Sequence, residues 1–238
     1  MVPNHLAIIM DGNRRWARGH VLDIAIGHNE GAQTLKKICK AVSNQAINYL
    51  TVFAFSSENW SRSTKEIDAL MGLMRRFLIQ ETDELVTQNV RLRIIGDRSV
   101  FDDELQKLFS MVEQKTRNNS GLVLTIAVNY GGRQDIAQAV VALANQLSKG
   151  FDIPEERAVT AVKSHLMTQD LPDVDLLIRT GGEKRISNFL LWDASYAELY
   201  FSDKLWPDFS ETDLKSALDD YGTRNRRFGG DSALRTVG

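Results

Sequence analysis

Short, continuously apolar runs alternate along this chain with longer segments whose apolar positions recur at helical spacing. The first run, Leu6 to Met10, has no polar interruption, which suits a parallel strand buried on both faces. Further strands are predicted at Tyr49–Phe55, Val90–Ile95, Leu122–Val128, Val174–Ile178 and Leu199–Phe201. Between them, Gly27-His28 precedes a stripe of Leu35, Ile38, Cys39, Val42 and Ala46. Ile67, Leu70, Met71, Met74, Phe77 and Leu78 share one face of a long helix reaching about Gln88. Leu105, Leu108, Phe109 and Val112 mark a third helix, and Ile136 to Leu147 a fourth that stops near Gly150. Pro154 suits the first turn of the next, and Asp213, Leu214, Ala217 and Leu218 mark the last. Strands alternating with helices predict an α/β fold: one domain over residues 1–238, with a central, mostly parallel six-stranded sheet flanked by helices.

The strands end in chemistry. Asp11 follows the first, where the crevice beyond the carboxyl ends of a parallel sheet exposes an acid to a ligand. Gly12 and Asn13 both tolerate positive φ, so the backbone can turn its N–H groups toward an anion, with Arg14, Arg15 and Arg18 alongside. The same residues also read as a plain strand-to-turn boundary with a solvated basic face, and this stretch alone leaves both readings open. The second strand ends in Ser56, Ser57, Glu58, Asn59, Trp60, Ser61 and Arg62; the fourth in Asn129-Tyr130-Gly131-Gly132-Arg133; the fifth in Arg179 through Asn188. Glu198 directly precedes the sixth. On its pattern alone, the methionine-bearing stripe at Met71 and Met74 reads as core packing.

Composition narrows the function classes. Lys+Arg total 29 against 31 Asp+Glu, which gives no global field for nucleic acid, so an anion site must come from local clustering. A single cysteine, Cys39, excludes an internal disulfide and a cysteine zinc cage, and fits a reducing cytoplasm. No apolar run approaches the about 18 residues of a membrane span, and Met1 leads into the first strand without a basic and apolar leader. The strand ends together form a diphosphate inventory: acids at Asp11 and Glu198, arginines at Arg15, Arg62, Arg179 and Arg185, hydroxyls at Ser56 and Ser187. Arginine forks fit phosphate oxygens, and carboxylates suit a magnesium ion that bridges to them. No phosphate-loop, dinucleotide or nucleophile-elbow motif is present. His28 alone among the histidines lies near the first motif, where it reads equally as a structural residue.

The segments LAIIMDGNRRWA, TVFAFSSENWSR, RLRIIGDR, NYGGRQDI and IRTGGEKRISNFLLWDASYAELYF, followed by LWPDF and RNRRFGG, closely resemble the cis-prenyltransferases, within them the bacterial undecaprenyl diphosphate synthases. The resemblance runs from Met10 to Gly230. It implies a Mg2+-dependent enzyme adding isopentenyl diphosphate repeatedly to an allylic diphosphate such as farnesyl diphosphate, with a hydrophobic tunnel for the growing chain, assembled as a homodimer. Asp11 matches the catalytic, metal-associated aspartate. Gly12, Asn13, Arg14, Arg15 and Trp16, with His28, match the allylic site. Ser56, Ser57, Glu58, Asn59, Trp60 and Arg62 match a mobile loop in which Asn59 is catalytic. Arg179, Arg185 and Ser187 match the isopentenyl diphosphate site, and Glu198 an acid that helps place magnesium. Arg227 and Gly229 match a tail, within 221–238, that reaches the partner subunit. The helix bearing Ile67, Leu70, Met71, Met74 and Phe77 matches the tunnel wall, which reverses the core reading. The implied setting is cytoplasmic, without nucleic acid, and leaves room for peripheral membrane contact on product release. One departure stands out: the pattern R-x-x-G-H has Ile24 in the arginine's place. A phosphatase using Asp11 as nucleophile and a catalytically silent binding subunit are the competing readings; the second expects lost motif residues, and none of the acids or arginines named above is missing.

Overall fold

Six strands, parallel throughout, build one sheet: His5–Ile9 (β1), Tyr49–Ser56 (β2), Arg91–Ile95 (β3), Val123–Tyr130 (β4), Leu176–Arg179 (β5) and Glu198–Phe201 (β6). Their spatial order is β3-β4-β2-β1-β5-β6. This is a computed structural model, and it describes residues 1–150 and 152–225. The helices are Asn13–Gly19 (α1), Ile24–Ser43 (α2), Thr64–Thr87 (α3), Asp103–Thr116 (α4), Gly132–Leu147 (α5), Ala158–Lys163 (α6) and Glu211–Thr223 (α7). The chain leaves β1 toward β2 on one side and later crosses to β5 on the other. β1 is therefore the switch point, and the crevice beyond its carboxyl end is where such a sheet binds ligand.

The uninterrupted apolar run of β1 has a direct cause. Leu6 and Ile8 join a large core that includes Ile38 and Val42 of α2 and Leu214 of α7, while Ala7 and Ile9 join a second core with Phe189 and Leu190. Both faces are dry, so alternation has no place. Several boundaries differ from the sequence-based expectation. α2 begins at Ile24, capped by Asp23 accepting from the Ala25 amide, so Gly27 and His28 lie inside the helix rather than before it. Ala46 falls past its end, in a turn at φ 57°. β4 continues through Asn129 to Tyr130 because its last residues still pair with Ser56 of β2. Pro154 caps a short 3-10 turn, Glu155–Arg157, instead of opening the helix itself. Asn13 enters α1, and Gly12 alone takes the positive φ, 122°.

Glycines at two positions of α2 admit this arrangement. A Cβ at Gly27 would sit 2.3 Å from the Asn13 carbonyl oxygen, and one at Gly31 would sit 2.4 Å from Asn13 Oδ1. The one-turn spacing of Gly27 and Gly31 thus makes the bed on which the start of α1 lies, one strand end away from Asp11.

At the opposite end of β1, His5 is fully buried between Pro172 O, 2.7 Å from Nδ1, and Thr51 Oγ1, 2.8 Å from Nε2. Burial is the main cause that lowers its pKa from 6.5 to about 4, against the backbone bond that raises it. The unfolded chain therefore binds a proton between those values that the folded chain refuses. Stability from this group is complete above pH 6.5 and is lost as pH falls toward 4, by about 3 kcal/mol in all. Urea unfolding at stepped pH should show that slope, and His5→Gln should flatten it; an equal slope in the variant would contradict the assignment.

Candidate active site

The carboxyl ends of β1, β2 and β5 meet at one cavity of about 830 Å³. Its floor is an ion-pair array. Arg179, the last residue of β5 and 5% exposed, donates from Nη2 to Asp11 Oδ2 at 2.9 Å and from Nη1 to Ser187 Oγ and Arg185 O, both at 2.7 Å. Arg15 reaches the other carboxylate oxygen of Asp11 at 3.2 Å and donates to Gly181 O at 2.7 Å. The Asp11 carbonyl accepts from Thr180 Oγ1 at 2.7 Å and from the Trp206 amide at 3.0 Å. The contacts tie the end of β5, helix α1 and the 3-10 turn Trp206–Asp208 to the same acid. Arg179 Nε and Asn13 Oδ1 are buried polar atoms without a partner among the described residues. Such orphans are rare in a folded chain and suit a ligand's oxygens and donors.

The loop carrying Arg185 and Ser187 is held in an uncommon backbone path. Gly181, Gly182, Ser187 and Asn188 all take positive φ, between 49° and 85°. The two glycines of NYGGR explain how that path persists. Gly132 N donates to Asn188 O at 2.7 Å and Arg133 N to Asn188 Oδ1 at 2.8 Å. A Cβ at Gly131 would meet Asn188 Nδ2 at 2.7 Å. Asn188 Nδ2 also donates to Glu58 Oε1 at 2.9 Å, joining this loop to the end of β2. Burial would raise the Glu58 carboxyl, but hydrogen bonds led by that from Asn188 outweigh it and hold the group below its ordinary value.

Beyond β2, Ser57–Ser61 forms a 3-10 turn closed by a reciprocal cap, in which Asn59 Oδ1 accepts from the Ser56 amide at 3.2 Å. Ser56, Glu58, Asn59 and Arg62 line the cavity. Ser57 and Trp60 do not. Trp60 stands edge-on to Phe55 and donates to Asn129 Oδ1 at 2.8 Å, behind the turn. Trp16 likewise lies outside the lining, its ring tilted against His20 with centroids 4.2 Å apart and its indole N–H donated to Asp208 at 2.7 Å. Gly12, Asn13, Arg14, Arg15, Arg18 and His28 complete the wall on the α1–α2 side.

A smaller apolar cavity of about 90 Å³ adjoins the charged one. Leu70, Met71, Met74 and Phe77 of α3 line it together with Leu35 and Ile126, while Ile67 does not. Met10, Asn13, His28, Ala54 and Phe55 belong to both cavities. The site is thus a polar chamber with an apolar slot beside it.

A family model described as "Putative undecaprenyl diphosphate synthase" matches residues 9–229, a span containing every group above. The chain belongs to this family of prenyltransferases. The ditrans,polycis-undecaprenyl-diphosphate synthase ((2E,6E)-farnesyl-diphosphate specific) of Pseudomonas syringae pv. tomato is 50% identical over 228 residues, covering 96% of this chain and 91% of that protein. Its namesake in Escherichia coli is 49% identical over 226 residues, with coverage of 95% and 89%. The crystal structure of lavandulyl diphosphate synthase from Lavandula x intermedia in complex with dimethylallyl diphosphate has a TM-score of 0.92 at 40% identity, covering 96% of this chain and 98% of that one.

Against the family pattern, two residues sit apart from the expected cluster. Glu198 opens β6 and pairs with Leu176, which pairs with Leu6 of β1. It is level with the amino ends of the strands, five residues short of Asp11, or about 16 Å along the strand direction. There it accepts from Arg224 at 2.9 Å. Because β6 runs parallel to β1, its first residue cannot reach the carboxyl end of its own sheet, so Asp11 and Glu198 do not converge within one chain. Ile24, the departure from R-x-x-G-H, is the first residue of α2, half-buried and one turn before His28. Arg227 and Gly229 lie outside the described residues.

One site residue escaped the sequence reading. Glu66, in the first turn of α3 and 7% exposed, gathers Arg62 at 3.0 Å, His28 at 3.4 Å and Arg14 at 3.6 Å on a single oxygen. Burial lowers the His28 pKa despite that carboxylate, so the ring is neutral at neutral pH and the cations here are the two arginines. The signal was present: a Glu four residues after Arg62, beside the Ser63 helix cap that accepts from its amide. Glu66→Ala should lower unfolding stability by about 1–3 kcal/mol, since half-buried Arg62 loses its acceptor, and Glu66→Gln by less. Thermal melts of both variants check this. Equal losses would mean that the carboxylate's charge is immaterial.

Proposed function

We propose that the chain condenses isopentenyl diphosphate with an allylic diphosphate, farnesyl diphosphate by the names of its relatives, in repeated cis additions. The product is a long-chain polyprenyl diphosphate of the undecaprenyl class, the lipid carrier for cell-wall peptidoglycan precursors. The observation that carries this reading is the adjacency of a charged chamber and an apolar slot through shared lining residues, which suits a diphosphate head with a prenyl tail. A phosphatase with Asp11 as nucleophile has no use for the slot.

In this reading Arg179, Arg185 and Ser187 hold the isopentenyl diphosphate, and the side formed by Gly12, Asn13, Arg14, Arg15, His28 and Arg62 takes the allylic diphosphate. Carbon–carbon bond formation requires the allylic diphosphate to leave, so charge grows on its bridging oxygen. Arginines already fixed by Glu66 and Asp11 meet that charge without reorganising, which is where preorganised donors contribute most. Asn59, with its side chain held by the Ser56 amide, presents its own amide group to the reacting ends. Both Asp11 oxygens are engaged by guanidiniums, so taking up a proton would break one of those contacts. Asp11 is therefore assigned to positioning charge rather than to acting alone as base.

Magnesium fits this donor set as an ion that arrives with substrate. The cavity offers Asp11, and no group of three or more His, Cys, Asp or Glu side chains among the described residues forms a metal cage. Mg2+ commonly takes one or two carboxylates, waters and substrate phosphates, so Asp11 would hold it beside a diphosphate. When bound, it supplies charge neutralisation between phosphate oxygens. A homodimer whose Arg227 and Gly229 complete the partner's site, Glu198 acting in placement of that ion, cytoplasmic action and peripheral membrane contact on product release remain part of the proposal. The buried Cys39 thiol, pushed by burial up to about 12, is inert and compatible with a reducing compartment.

A shorter or atypical prenyl product is the second reading. It is favoured by Ile24 and by the likeness to lavandulyl diphosphate synthase. Incubating the protein with labelled isopentenyl diphosphate, Mg2+ and either farnesyl or dimethylallyl diphosphate, then sizing the lipid, separates the two. Met74→Trp adds bulk inside the slot, so early additions should proceed and the longest products disappear. A variant that instead loses stability with product length unchanged would make α3 a core helix and not a tunnel wall.

A further inference from the structure

At the edge of the sheet formed by β3, a cleft of about 360 Å³ opens between that strand and α4. Arg91 and Arg93 enter it from β3, Glu113 and Arg117 from α4 and its end, and Asp170 from the segment after α6. Arg91 is level with Val123, Tyr49 and His5, at the amino ends of the strands. The cleft is therefore at the far end of the sheet from Asp11, and β3 is three positions away from β1.

Arginines on an edge strand ordinarily serve to block edge-to-edge pairing. Here α4 already closes that edge. The Leu92 amide donates to Thr116 Oγ1 at 3.0 Å and the Ile94 amide to Glu113 Oε1 at 2.8 Å. Glu113 is in turn held by both ends of the Arg98 guanidinium, at 2.8 and 2.7 Å, so its charge is compensated within the fold. Asp170, with 73% of its side chain exposed, meets Arg93 only at 3.4 Å. Arg91 and Arg117 have no acidic partner among the described residues, and both are exposed. Three guanidiniums thus face one loosely held carboxylate, with Ser110 and Gln114 as neutral polar residues in the same lining.

We propose that this cleft is a second anion site, separate from the reaction centre, that takes a phosphate or diphosphate group. Guanidiniums lining one cleft from two elements, in excess over its acids, supply the planar donor forks that phosphate oxygens take bidentately. The group is carried either by free inorganic diphosphate or by the headgroup of an anionic phospholipid.

The test uses the full chain and the variant Arg91→Gln/Arg117→Gln, whose positions lie outside the catalytic machinery. Equilibrium dialysis with labelled inorganic diphosphate counts bound anions per chain. Sedimentation with phosphatidylcholine vesicles, with and without phosphatidylglycerol, measures headgroup binding. If the free anion is the ligand, the variant binds one diphosphate per chain fewer, or binds that one about tenfold or more weakly, with kcat unchanged. If the headgroup is the ligand, the variant loses sedimentation with phosphatidylglycerol vesicles while the diphosphate count stays the same. A variant equal to the parent in both arms overturns the proposal.

Discussion

The Arg179 guanidinium is the constraint from which the site follows. It is 5% exposed, and a charge so buried persists only when its surroundings supply an opposite charge and acceptors. Those come from three places: the carboxylate at the end of β1, the hydroxyl of Ser187 and the carbonyl of Arg185. Satisfying one side chain therefore fixes the relation of two strand ends and of the loop between Gly181 and Asn188. That loop accepts positive φ at four residues to reach its place, and the amides of Gly132 and Arg133 hold it there through Asn188.

A second acid plays the same part on the other wall. Glu66 collects Arg14, Arg62 and His28 from three different elements, and it does so from the first turn of the helix whose later turns line the apolar slot. Chamber-facing cations and slot-facing apolar side chains thus share one rigid support. A ligand with a charged head and an apolar tail meets both through a single helix, which is the structural sense of calling chamber and slot one site.

Much of this was legible in the sequence because strand ends carry their own punctuation. An apolar run closing on Asp11-Gly12 pointed to a buried parallel strand with an acid at its carboxyl end, and Arg179, Arg185 and Ser187 could be read from the polar end of the fifth run. What escaped depends on direction and on distance in sequence. Glu198 lies beside an apolar run just as Asp11 does, but it precedes its strand where Asp11 follows, and in a parallel sheet that difference sends the two to opposite ends. Trp16 and Trp60 lie within motif segments, yet their rings turn toward His20 and Phe55, away from the cavity. Glu66 was hidden because its partners stand 4, 38 and 52 positions away in the chain, and periodicity reports only neighbours on one helix. Gly27 and His28 stand inside α2, before its apolar stripe begins, and the close approach of Asn13 is what requires glycine there.

The claim that Asp11 and Arg179 act as one unit is tested most directly by a double-variant cycle on kcat/KM for isopentenyl diphosphate, using Asp11→Asn, Arg179→Gln and both together. The account predicts that each single change is severe and that the combined variant is close to the worse single one, because either change dismantles the same array. Losses that multiply independently, or near-normal turnover in either single variant, would contradict it.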